Sequence, residues 1–168
     1  MPNRPREQSS TLSFDRDEWE LLVTLPRRVL IAASSAESPH REHSVNEGLA
    51  GIEAIASGLS SPSQLVRDVV GAIFAESYQG TRPGHELDED VAATDGGVLP
   101  TLAASRFASE VLAQRCDLAD AAAYRAWLHH IAAAVAGALR GAPVSASGGR
   151  IGLHESRFLY ALDGILRP

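Results

Sequence analysis

Apolar residues recur along this chain at spacings of three and four, and no run alternates apolar with polar long enough to build a strand. Trp19, Leu22 and Val23 share one side of a first short helix. Ser13 is its expected N-cap, and Asp15, Asp17 and Glu18 stand at the positive end of its dipole. Pro26 disfavours helical geometry at Leu25 and predicts a stop or kink there. A second helix restarts at once, capped by Thr24 or Leu25, with Val29, Leu30 and Ala33 as its stripe. Ser34 to His43 reads as a polar loop around Pro39. Ser44-Val-Asn-Glu47 then has the spacing of a capping box. It opens a third helix with Leu49, Ile52, Ile55, Ala56 and Leu59 at helical spacing. Ser61-Pro62-Ser63-Gln64 repeats the device, a serine cap with proline at the first helical position. The fourth helix behind it buries Val66, Val69, Val70, Ile73 and Phe74.

Tyr78 to Gly97 breaks the periodicity with glycines, Pro83 and an acidic run, and reads as a long loop of the kind that carries function or moves. A fifth helix is predicted from about Leu99 to Arg115, turning Ala104, Phe107, Ala108, Val111 and Leu112 inward. Asp117 starts a sixth, reaching about Leu139, with Tyr124, Trp127, Leu128, Ile131 and Val135 on its inner face. The Gly/Ser-rich stretch Gly141 to Gly152 separates it from a last helix presenting Phe158, Leu162, Ile165 and Leu166. The fold class expected is all-α, a compact bundle of about seven helices. A faint echo links Val29-Leu-Ile-Ala-Ala, Glu47, Ile52 and Ile55 to Ile131-Ala-Ala-Ala-Val, Glu155, Leu162 and Ile165. Two helix–loop–helix halves about a pseudo-twofold axis would produce that echo. Residues 1–12 hold almost nothing to bury and are expected to be a disordered lead-in, leaving 13–168 as one helical domain.

Composition narrows what such a bundle can do. The 168 residues carry fifteen arginines and no lysine, which removes Schiff-base and lysine-nucleophile chemistry and the phosphate-gripping lysine of a P-loop. A net charge of −6 argues against nucleic acid or an anionic membrane as partner. The single cysteine, Cys116, excludes an intrachain disulfide and any multi-cysteine zinc site. The first residues lack an apolar signal core, and the most apolar stretch, Ala126 to Leu139, is short and holds His129 and His130. A cytoplasmic location is therefore expected.

Candidate chemistry gathers in two places. His40-Arg-Glu-His43 followed by Glu47 sets two imidazoles and a carboxylate within eight residues, donor types that suit zinc or ferrous iron. The bland reading is a solvated loop, with Glu47 already occupied by the capping box. His85-Glu-Leu-Asp-Glu-Asp90 with Asp95-Gly-Gly97 is the densest set of oxygen donors, and Asp88, Asp90 and Asp95 are the acids a hard divalent cation would use. It lacks the glycine and glutamate positions of an EF-hand loop, and an acidic run is ordinarily a solvated surface. His129 and His130 are adjacent on one helix and diverge by about 100°, so one is expected half-buried and the other exposed. Gly148-Gly-Arg-Ile-Gly152 matches neither phosphate-loop spacing. Cys116, at a helix C-terminus, is expected to be a core residue with a raised thiol pKa. No G-x-S-x-G elbow occurs.

Phe14-Asp-Arg-Asp-Glu-Trp19, Leu25-Pro26 opening an alanine-rich helix, then a loop and Glu47, form one recognisable arrangement. Trp127-Leu-His-His-Ile-Ala-Ala-Ala-Val-Ala, a glycine-rich loop and the helix from His154-Glu155 form a second. Together they resemble the TerB-like family of bacterial helical proteins, associated with tellurite resistance and stress operons, over about residues 14 to 167. The resemblance implies a compact helical fold with two related halves and no established catalytic activity. It also implies acidic residues after each alanine-rich helix, with cation binding proposed there. Glu37 and Glu47 match the first half and Glu155 the second, while Ala138-Leu-Arg140 stands where an acid is implied.

These readings converge on a non-enzymatic bacterial helical domain that acts through protein contacts or stress-related sensing, with no resident cofactor. The competing expectation is a metal- or small-ligand-binding protein holding a divalent cation on His40, His43 and Glu47 or in the 85–95 acidic loop.

Overall fold

The computed structural model describes residues 14–35, 45–79, 97–141 and 153–167, all but a few of them helical and none in a strand. Among these residues there are six α-helices: α1 (Arg16–Ser35), α2 (Val45–Ser57), α3 (Gln64–Gln79), α4 (Val98–Arg115), α5 (Leu118–Gly141) and α6 (Leu153–Leu166). A 3-10 turn, Gly58–Ser60, follows α2. None of these helices is long and apolar enough to cross a membrane. The all-α expectation holds, but its first two helices are one.

The start of α1 is set by a signal the serine reading overlooked. Asp15, not Ser13, is the cap: its carboxylate accepts the Glu18 backbone N–H at 2.8 Å, and the Glu18 carboxylate accepts the Asp15 N–H at 3.0 Å. This is a capping box with aspartate in the serine's place. Phe14 and Trp19 close it from outside, ring centroids 6.1 Å apart, as the apolar staple across the cap. Glu18 also takes Arg115 at 3.0 Å, tying the start of α1 to the end of α4.

Pro26 was expected to stop or kink the helix, and α1 does not stop there but continues through it to Ser35. A proline inside a helix withholds one N–H and leaves the carbonyl four residues earlier without its donor. That carbonyl belongs to Leu22, and the buried Tyr124 hydroxyl of α5 donates to it at 2.7 Å. With the orphaned acceptor satisfied and Leu25, Pro26 and Val29 all buried, packing holds the backbone helical where local preference does not.

Helix α5 is the hub, packing against each of the other five helices. Tyr124, Trp127, Leu128, Ile131 and Val135 are buried along it as their spacing predicts. Tyr124 and Trp127 meet edge to face at 5.8 Å. One reaches the backbone of α1, and the other donates its indole N–H to the Ala54 carbonyl of α2 at 3.1 Å. Asp117 caps α5 through the Asp120 N–H at 2.8 Å, as expected. For α3 the cap is Ser63, whose hydroxyl accepts the Val66 N–H at 3.3 Å, rather than Ser61. Ser61 serves one step earlier, accepting from the Ser63 N–H. Gln64 does not reach back to the cap; its amide bridges Asp68 and Arg67 along the helix.

Four expected core residues, Phe107, Leu49, Ile52 and Leu59, are outside. Phe107 on α4 is 55% exposed, because α4 turns Thr101, Ser105, Ala108, Val111 and Leu112 inward. On α2 the exchange is more complete, and it defines the surface considered next. The lead-in 1–12, the Ser44 capping box, the segment 80–96 and the glycine stretch 148–152 lie outside the described residues.

Candidate interaction surface

The inward face of α2 is made of small residues. Gly51 and Ala54 are buried, with Ile55 beside them, and so is Gly58 in the turn that follows. The reason is distance. A Cβ built on Gly51 would stand 2.6 Å from Leu30 Cγ of α1 and 3.2 Å from Val135 Cγ2 of α5. One built on Gly58 would stand 2.8 Å from Val70 Cγ2 of α3 and 2.9 Å from the Trp127 ring. Both seats admit a glycine and nothing larger without displacement.

The large apolar residues that were expected inside therefore point away. Leu49 is 54% exposed, Ile52 56% and Leu59 52%, with Ala56 half-buried between them. At about 100° per residue these four fall in one stripe, and together with the buried face they make more than half of α2 apolar. One flank of the stripe merges with the core at Ile55, and the other carries Glu53, the charged residue among the described side chains of α2. The echo between chain halves fails here, since Leu162, the counterpart of Ile52, is fully buried.

Two further concavities flank α6. A groove between α4 and α6 has Leu102, Phe107, Ala161 and Ile165 as its apolar floor and wall, with Arg106 and Glu110 also lining it. A smaller cleft between α5 and α6 is lined by Arg125, His129, Asp163 and Arg167. Arg167 pairs with Asp163 at 2.7 Å, and Arg125 donates through Nη2 to the Ser109 carbonyl at 3.1 Å while its buried Nε has no hydrogen-bond partner among the described residues. His129 and His130 are both exposed, where one was expected to be half-buried. Cys116 caps the end of α4, and its thiol is pushed up to about 11 by burial first and then by Asp120 and Asp117. At neutral pH it is held protonated and is a poor nucleophile.

The sequence-predicted ligands cannot be placed against this geometry: His40, His43, Asp88, Asp90 and Asp95 lie outside the described residues, as does the side chain of Glu47. Among the described residues no three histidine, cysteine or acidic side chains gather as a metal would need. No protein family, curated protein or solved structure matches this chain. Leu49, Ile52 and Leu59 form an apolar stripe on the described surface, where Leu99, Leu118 and Tyr160 are also exposed on other helices. A signal for the stripe was present in the sequence: glycines at 51 and 58 mark the side of close approach, opposite the bulky residues.

Proposed function

We propose that this chain is a non-enzymatic, cytoplasmic helical domain that works by protein contact, with α2 as its docking element, and that it is a bacterial stress-associated protein of the TerB-like kind. The observation that carries the docking reading is the outward stripe of Leu49 and Ile52 on α2 and Leu59 in the turn after it, each more than half exposed where the opposite face is already packed. Contiguous exposed apolar surface of this sort marks sites of association, because leaving it in water forgoes about 25 cal/mol per Å². The Phe14–Trp19 entry and the alanine-rich α5 support the TerB-like part.

A photo-crosslinking residue at position 52, compared with one at Ser57 on the polar side, tests the docking reading in the cells that make the protein. Adducts at 52 well above those at 57 are expected; equal or absent adducts overturn it. Metal content of the purified protein and thermal shifts with a cation panel test the competing site on His40, His43 and Glu47 or in the 85–95 loop. Bound metal would stabilise the fold by about 2.7 kcal/mol at a hundredfold excess over Kd.

A further inference from the structure

Two helix faces meet in the cleft between α5 and α6. On α5, Ala122, Arg125, Ala126 and His129 stand at i, i+3, i+4 and i+7. Asp163, Leu166 and Arg167 repeat the i, i+3, i+4 spacing at the end of α6. Ala122 and Ala126 have no side chain beyond Cβ to fill the space between, and the buried Leu166 gives it an apolar wall. The cleft measures about 300 Å³, the small end of the range for ligand pockets.

Arg125 carries unmet charge there. It is half-buried, and the one acceptor it meets is the neutral Ser109 carbonyl, bonded through Nη2. That bond holds the guanidinium where three helices join, because the Ser109 hydroxyl of α4 donates in turn to the Ile165 carbonyl of α6 at 3.4 Å. Nε of Arg125 is shut off from water with no hydrogen-bond partner among the described residues. No described carboxylate is at ion-pair distance from it. Asp163 is engaged by Arg167, and Asp117 and Asp120, which act with Arg125 on the Cys116 thiol, do not line the cleft. A guanidinium partly withdrawn from water, with neither a counter-ion nor a full set of acceptors, carries a cost that an anion relieves.

We infer that this cleft binds a small monoanionic carboxylate with a short apolar body, Arg125 being its charge partner and Arg167 and His129 further donors. The site is independent of the α2 surface. Charge selects the class of anion. With Asp163 set against Arg167, one positive charge is left over, which a carboxylate balances and a phosphate dianion exceeds. The planar guanidinium also matches the two oxygens of a carboxylate. The surfaces of Ala122, Ala126 and Leu166 select an apolar body, and the volume limits its size.

Benzoate is the probe, titrated into the full chain by calorimetry beside its neutral isostere benzamide and inorganic phosphate. One benzoate per chain should bind, with a dissociation constant of about 0.1–10 mM, the range open to so small a ligand. Benzamide and phosphate should bind at least about tenfold more weakly. Arg125→Ala, its helix content checked by circular dichroism, should weaken benzoate by at least about tenfold. Ala122→Glu, at an exposed position of α5, sets a carboxylate of the chain's own in the cleft and should abolish benzoate binding with the fold intact. Arg106→Ala, in the α4–α6 groove, should leave binding unchanged. No saturable benzoate binding up to about 10 mM overturns the inference. So does binding that benzamide or phosphate matches, or that survives Ala122→Glu or a folded Arg125→Ala. N-acetyl-leucine distinguishes two sources of the same group. Binding tighter than that of benzoate assigns the carboxylate to a peptide C-terminus, and binding no tighter assigns it to a free acid; both support the site.

Discussion

The Tyr124 hydroxyl donates at 2.7 Å to the carbonyl of Leu22, the group that Pro26 deprives of its helical donor. The two partners are 102 residues apart in the chain, and both are fully buried. An unpaired carbonyl in that position would carry the full cost of desolvation, so the tyrosine and the proline form one unit.

Their dependence is measurable. Tyr124→Phe should cost about 1–3 kcal/mol in urea unfolding, the price of a buried acceptor left alone. In a Pro26→Ala background the helix supplies the missing N–H, and the same substitution should cost clearly less. An equal cost in both backgrounds would show that the hydroxyl does not stand in for the proline's absent donor.

The glycine seats make opposite predictions at two sites. Gly58→Ala should destabilise by about 1–3 kcal/mol, as overpacking does, because its Cβ would come within 2.9 Å of both Val70 and the Trp127 ring. Gly58 does not adopt a left-handed backbone, so proximity alone is the cause. Gly71→Ala on α3 meets nothing within 4 Å and should stabilise by about 0.5–1 kcal/mol. Thermal or urea unfolding of the two variants checks the contrast, and a shift in the same direction at both would refute it.

At the start of α1, Asp15→Ala removes the acceptor of the Glu18 N–H and should cost about 1 kcal/mol. Arg115→Ala removes an ion pair whose arginine is largely in solvent and should cost well under 1 kcal/mol. If the arginine substitution proved the more damaging, Glu18 would owe its importance to the link with α4 rather than to the cap.

Rising pH should lower the protein's stability through two overlapping titrations. The folded-state pKa of Cys116 is raised from 9.0 to about 11, chiefly by burial, so the folded state keeps a proton that the unfolded chain releases. Its contribution is complete below pH 9 and is lost between pH 9 and about 11. Burial also raises the Tyr124 phenol well above its ordinary value of 10.0, so its contribution is lost from pH 10 upward. Stability measured at pH 8 and 10.5 should fall between the two, and Cys116→Ala should remove the earlier part of the decline. Alkylation of Cys116 in the folded protein should rise with a midpoint near pH 11 and shift lower in Asp120→Asn. A midpoint at the ordinary thiol value would contradict the burial described here.

Local signals account for what the sequence by itself determined. The helical period, the Asp117 cap, the absence of alternating runs and the inner face of α5 all follow from interactions within a few residues, and they yield an all-α fold with nearly correct boundaries. The Asp15–Glu18 box and the Phe14–Trp19 staple were also readable, since neither spans more than six residues. Only the tertiary structure decided whether Pro26 would end a helix, because the answer lies with a hydroxyl on α5. It also decided which side of α2 faces in. Periodicity finds an apolar stripe, but the choice between bulky and small residues depends on how closely α1, α3 and α5 approach, and at Gly51 and Gly58 they leave no room for a side chain. That close approach is what turns Leu49, Ile52 and Leu59 outward and makes α2 a surface.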